Sequence, residues 1–176
     1  MAAAQRLRQG VRALLAFTQT VDYTLAASYL NPPQMTLFKQ LSRNEQLHSL
    51  NVLRHVLAQT QEAPTPDDLA VAALLHDVGK ARYPLAIWQK SLAVIIRALN
   101  ANLYNRWSLS SPHIRWKRAF VVTAQHPAWS AEMVQPTGAS ERALWLIAHH
   151  ADSLDQWLDH PYRNLLKRLK LADDTN

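Results

Sequence analysis

Cysteine is absent from this chain of 176 residues. Its absence removes disulfides and thiolate ligands together, and leaves nitrogen and oxygen as the donors for any metal ion. Glycine is almost as scarce, at 3 residues, so there is little material for hairpin turns. No uncharged apolar run reaches the ~18 residues of a membrane span. Arg6, Arg8 and Arg12 interrupt the amino-terminal apolar stretch that a signal peptide would need. A cytoplasmic protein is expected. Acidic residues are outnumbered, 13 against 19 Lys and Arg, for a net charge of +6. That surplus would attract anionic substrates, nucleic acid or anionic membrane surfaces, and does not choose among them.

Leu, Ala, Arg and Gln are plentiful, and the chain reads as all-α within one domain, long enough to bury about two-thirds of its unfolded surface. Residues 5–30 form a long amphipathic helix candidate that Asn31-Pro32-Pro33 stops. Ser42 with Glu45 makes a capping box that opens the next helix. Residues 61–64 read as a loop, after which Thr65 as N-cap and Pro66 at the first helical position open another helix. Asp67 and Asp68 then lie at its positive end. Further helices are expected over 85–99, 112–124, 126–135, 139–150 and 161–171, with 100–111 as the longest irregular stretch.

The chemistry begins in Ala72-Ala73-Leu74-Leu75-His76-Asp77-Val78-Gly79-Lys80, where an imidazole and a carboxylate close an apolar run. A carboxylate buried there is costly unless it is paired or metal-bound, and a divalent cation would satisfy His76 and Asp77 at once. Other donors are spread along the chain: His48 and His55 upstream, then His126 before Pro127, the pair His149 and His150, and Asp173 beside Asp174. His48 and His55 lie about 10 Å apart along a helix axis, too far to share one ion. Adjacent helical residues diverge by about 100°, so His149 and His150 serve one centre together only if the helix end or a second metal accommodates them. Taken singly, each of these residues has an ordinary structural reading, His48 as a core-facing imidazole and Lys80 as a helix-end cation among them.

The order His, His-Asp, His, His-His, Asp, with Lys80 three residues after Asp77, resembles the HD-domain superfamily of metal-dependent phosphohydrolases. It looks most like the branch whose core reads His-Asp-Ile-Gly-Lys, with Val78 here in place of Ile. The resemblance covers roughly 36–174 and implies an HD-domain helical bundle over 36–176, with an N-terminal helix in 1–35 packing on it. It implies one or two divalent metal ions (Fe, Mn, Mg, Co or Zn) held by His48, His76, Asp77, His126, His149, His150 and Asp173. His48 is preferred over His55, and Asp173 over Asp174, by their likeness to the family's first and last motifs; His149 is the stronger of its pair. Asp77 and Lys80 are the expected catalytic residues, with Lys80 on the substrate phosphate. Two departures narrow the expectation. The Gly-Tyr-Pro segment of the cyclic-dinucleotide phosphodiesterases is replaced by Asp152-Ser153-Leu154, and the Glu that three-metal members carry before the first His is Asn44.

The implied reaction is hydrolysis of a phosphate ester or phosphoanhydride, with a nucleotide or dinucleotide as substrate and no nucleic-acid partner. A di-iron oxygenase of the same superfamily and a non-catalytic nucleotide-binding module are the alternatives. The apolar segment 85–107 reads first as a core or homodimer helix, and second as a helix in peripheral contact with a membrane.

Overall fold

The computed structural model describes residues 19–59 and 66–175. Among these the chain is all-helical, without a strand. The helices are α1 (Tyr23–Ala27), α2 (Pro32–Gln40), α3 (Arg43–Ala58), α4 (Asp67–Leu75), α5 (Ile87–Leu99), α6 (Ala101–Ser108), α7 (Arg118–Val134), α8 (Glu141–His149) and α9 (Arg163–Asp174), with a 3₁₀ turn at Val78–Arg82 after α4. None is long and apolar enough to cross a membrane.

Helix α4 lies at the centre. Every residue from Leu69 to Leu75 is buried, so the helix has no polar face, and α3, α8 and α9 pack around it. Its amino end is tied to α8: Asp68 accepts from Ser140 Oγ at 2.6 Å and pairs with Arg142. Ser140 in turn caps α8 through the Ala143 N–H. A smaller apolar cluster, built on Ala93, Tyr104, Ala119 and Phe120, joins α5 and α6 to the start of α7.

Several boundaries differ from those expected. The long helix over 5–30 is not continuous in its described part: residues 19–22 are non-helical, and Asp22 caps the short α1 by accepting from Leu25 N at 2.9 Å. Residues 5–18 lie outside the described residues, as do the 61–64 loop and Thr65. Pro66 occupies the N-cap of α4 itself. Asn31-Pro32-Pro33 ends one segment and also starts α2, because Asn31 and Gln34 form a reciprocal capping box and proline is tolerated in a first turn. The stretch 100–111 contains α6, capped by Asn100 Oδ1 at 2.9 Å from Leu103 N. The expected separate helices over 112–124 and 126–135 are largely one, since α7 runs from Arg118 through Pro127 to Val134. The Ser42–Glu45 cap is present, with the Glu45 carboxylate accepting from the Ser42 N–H and hydroxyl.

The 3₁₀ turn packs against α7 with no space between them. Gly79 N donates to Ser130 Oγ at 2.8 Å, and a Cβ at position 79 would come within 2.4 Å of the His126 carbonyl oxygen and 2.8 Å of Ser130 N. Those are backbone atoms and cannot step aside. Gly79→Ala is therefore expected to cost about 1–3 kcal/mol through forced separation of the turn from α7. Calorimetry should show a melting point lower by roughly 2–4 °C per kcal/mol, and an unchanged melting point would contradict the close approach.

Candidate metal centre

Five helices bring their donors to the carboxyl end of α4. His76 is the C-cap of α4 and Asp77 follows it; both are buried. His48 comes from α3, Asp173 from α9, His126 from α7, and His150 is the C-cap of α8. The two oxygens of Asp77 face different partners. Oδ2 lies 3.5 Å from His76 Nε2 and 3.9 Å from His48 Nε2, while Asp173 Oδ1 sits 2.9 Å from His48 Nε2 and 3.7 Å from His76 Nε2. Oδ1 lies 3.3 Å from His126 Nε2 and 3.8 Å from His150 Nε2. Two donor groups result, His48-His76-Asp77 and Asp77-His126-His150, each with ligand atoms within 4.8 Å of one another.

The rings are oriented from behind. His76 and His150 each cap a helix whose last carbonyls have no intrahelical donor, and each places Nδ1 on the carbonyl three residues back, Ala73 O at 3.0 Å and Ile147 O at 2.8 Å. His126 reaches the same result differently. Pro127 has no N–H, so the Thr123 carbonyl loses its helical partner, and His126 Nδ1 takes it at 3.0 Å. With Nδ1 as the donor in all three rings, each Nε2 presents a lone pair to the cluster.

Those lone pairs converge without a proton to share. His126 Nε2 and His150 Nε2 stand 3.1 Å apart, both within 3.8 Å of an acceptor-only carboxylate oxygen. His76 Nε2 and Asp77 Oδ1 are buried with no hydrogen-bond partner. Orphaned acceptors facing one another are unfavourable unless a cation lies between them, and an all-nitrogen-and-oxygen set fits a divalent ion. The residues present thus suit the metal that the donor pattern implies.

Charges in the cluster respond to one another. Burial works against the charged form of Asp77, but the Lys80 ammonium outweighs it and holds the carboxyl well below its ordinary range. Lys80 Nζ donates to Asp77 Oδ2 at 2.6 Å, and despite burial that carboxylate raises its pKa. Burial also opposes ionisation of Asp173, but the His48 hydrogen bond lowers its pKa. Burial pushes the His76 imidazole down, and pushes His150 down to about 3.

Of the residues expected from the sequence, His48, His76, Asp77, Lys80, His126, His150 and Asp173 come together. His149 does not. Its Nδ1 bonds Asp152 Oδ2 at 2.7 Å and its ring lies against Trp145 and Trp157, about a 100° turn away from His150. The preference for His149 is corrected to His150, and the sequence held a signal for it: Ala143, Leu146 and Ile147 form the buried stripe of α8, and His150 extends it by one turn. His55 is exposed and bonds Thr175 Oγ1. Ser130, four residues after His126 on the buried side of α7, anchors the turn bearing Lys80 and was not singled out by sequence reasoning.

A cleft of about 380 Å³ adjoins the cluster, lined by Lys80 and His126 together with Glu45, Leu85, Val94 and Val122. Its size suits a small molecule. Residues 47–176 match the HD domain family. No curated protein and no solved structure matches the chain.

Two outcomes follow for this centre. His150→Ala should lower the metal stoichiometry measured by elemental analysis, whereas His149→Ala should leave it unchanged; equal effects would undo the assignment. In chelator-treated protein, His76 and His150 are held neutral when folded but ionise ordinarily, near 6.5, when unfolded. Below pH 6.5 the unfolded chain then binds more protons, so stability falls as pH falls toward the lowered values. Asp77 acts in the same sense lower down, its contribution present above 3.8 and lost as pH drops through its folded value. Melting points from pH 7 to pH 4 should decline steadily, and a flat profile would contradict neutral buried imidazoles.

Proposed function

The chain belongs to the HD-domain family, whose members are in general metal-dependent phosphohydrolases, and we propose that it hydrolyses a phosphate ester or phosphoanhydride of a nucleotide or dinucleotide. The observation that carries this reading is the placement of Asp77, which turns one oxygen to His48 and His76 and the other to His126 and His150. A carboxylate so placed suits two ions, the arrangement of a dinuclear phosphoryl-transfer site. The chemistry supplied by divalent ions held there would be water activation near neutral pH and neutralisation of phosphoryl charge.

The chain's own residues supply the rest. His76, His126 and His150 are fixed by backbone carbonyls, so their donor atoms need no rearrangement. Lys80 lines the cleft, stays protonated, and has three N–H donors, of which Asp77 takes one. It is placed to donate to a phosphoryl oxygen entering beside the cluster. The apolar walls at Leu85, Val94 and Val122 suit a base or another flat apolar group next to that phosphate.

The test is a phosphoester and nucleotide screen on protein stripped of metal and reloaded with Mn, Fe, Mg, Co or Zn in turn, with and without oxygen. Hydrolysis that returns with metal and proceeds anaerobically supports the reading. Turnover restricted to iron and oxygen would move it to an oxygenase, and a nucleotide that binds without being consumed would make the chain a binding module. Lys80→Ala should keep its metal and lose about a hundredfold or more in kcat/KM, the scale of one lost transition-state donor. Lys80→Glu should be worse, because it also repels phosphate. An unchanged kcat/KM in Lys80→Ala would return that residue to a structural role.

A further inference from the structure

Helix α5 buries Gln89 and Ala93 toward its neighbours and turns Trp88, Ile95 and Leu99 outward, at 59%, 51% and 79% exposure. Spacings of seven and four place these three on one stripe. Past α6, Leu109 is exposed at 81% and Trp116 at 46%. Single exposed apolar residues are ordinary, but a stripe with further apolar groups beyond it is the mark of an interaction surface.

The charge of the same region is one-sided. Arg82 and Glu132 pair at 2.9 Å, and between them, over 83–131, the chain has no Asp or Glu. The cations of that stretch are Lys90, Arg97, Arg106, Arg115, Lys117 and Arg118. Arg106 and Arg115 are exposed, Arg97 lies on the side of α5 opposite the stripe, and Lys117 Nζ lies over the exposed Trp116 ring at 5.0 Å.

The geometry points to this face as a docking surface for an anionic lipid bilayer, with α5 lying in the headgroup plane. Such a surface accepts both features at once, because Trp and aliphatic side chains enter the acyl boundary while cations remain with the phosphates. Other occupants fit less well. A two-fold contact with a second copy would set this acid-free region against itself, cation to cation. Residues 1–18 carry Arg6, Arg8 and Arg12 and no acid, so they meet the same repulsion. Nucleic acid would match the charge but uses aromatic rings for stacking and gains little from Ile95, Leu99 and Leu109. Val94, half-exposed on α5, also lines the cleft beside the metal donors, so docking would place that cleft next to the lipid surface.

The full chain should co-sediment with vesicles of phosphatidylglycerol and phosphatidylcholine at 3:7 and stay in solution with phosphatidylcholine alone, and added salt should release it. Its tryptophan emission should shift to the blue with the anionic vesicles only. A Trp88→Ser, Ile95→Ser, Leu99→Ser triple variant should lose sedimentation, and Arg106→Gln with Arg115→Gln should weaken partition about fivefold per cation removed. The proposal is overturned if the wild-type chain ignores anionic vesicles in both measurements or binds neutral ones equally. It is also overturned if ultracentrifugation shows a dimer that the triple variant dissociates, which would assign the face to a second copy.

Discussion

Asp77 is buried and follows a helix in which every residue from Leu69 to Leu75 is buried, so its charge has to be met at contact distance by groups from elsewhere in the chain. Little around it is apolar filler: His48, His76, Lys80, His126 and His150 all approach within 4 Å. The apolar packing of α4 against α3, α8 and α9 sets where that carboxylate sits, and the surrounding helices answer it with nitrogen donors. Lys80 meets part of that charge with a hydrogen bond, and the imidazole lone pairs turned the same way call for a cation between them, which is why fold and site cannot be separated at this end of the molecule.

The orientation of the donors rests on carbonyls that helix geometry leaves over. His76 and His150 use the frayed acceptors at the ends of α4 and α8, and His126 uses the acceptor that Pro127 releases inside α7. Three rings in different backbone settings thereby reach the same tautomer, with Nε2 free toward Asp77. Lys170 adds a further tie by donating to the His150 carbonyl at 2.9 Å, linking the end of α8 to α9, which carries Asp173.

Legibility in the sequence followed the kind of signal involved. The all-helical class came from scarce glycine and repeated helix starts, and His76-Asp77 stood out because an apolar run ends on two polar groups. The Ser42–Glu45 cap was readable because both partners lie within one turn. Pro127 misled: in isolation a proline reads as a boundary, and only the His126 ring bonding the freed carbonyl shows how α7 continues past it. Asn31-Pro32-Pro33 was half-read, since a stop and a start use the same residues. His149 attracted attention as half of a pair, although the buried stripe of α8 runs to His150. The contact between Gly79 and Ser130 joins residues 51 positions apart, and nothing local announces it.

That contact has a wider meaning. The turn bearing Asp77 and Lys80 meets the helix bearing His126 through close-packed main-chain atoms, and the Gly79 N–H donates to the Ser130 hydroxyl there. The width of the donor set across this seam is accordingly set by the backbone. A substitution in the apolar core around α4 reaches the centre through side chains that can repack, whereas a single methyl group at position 79 acts on the backbone spacing itself.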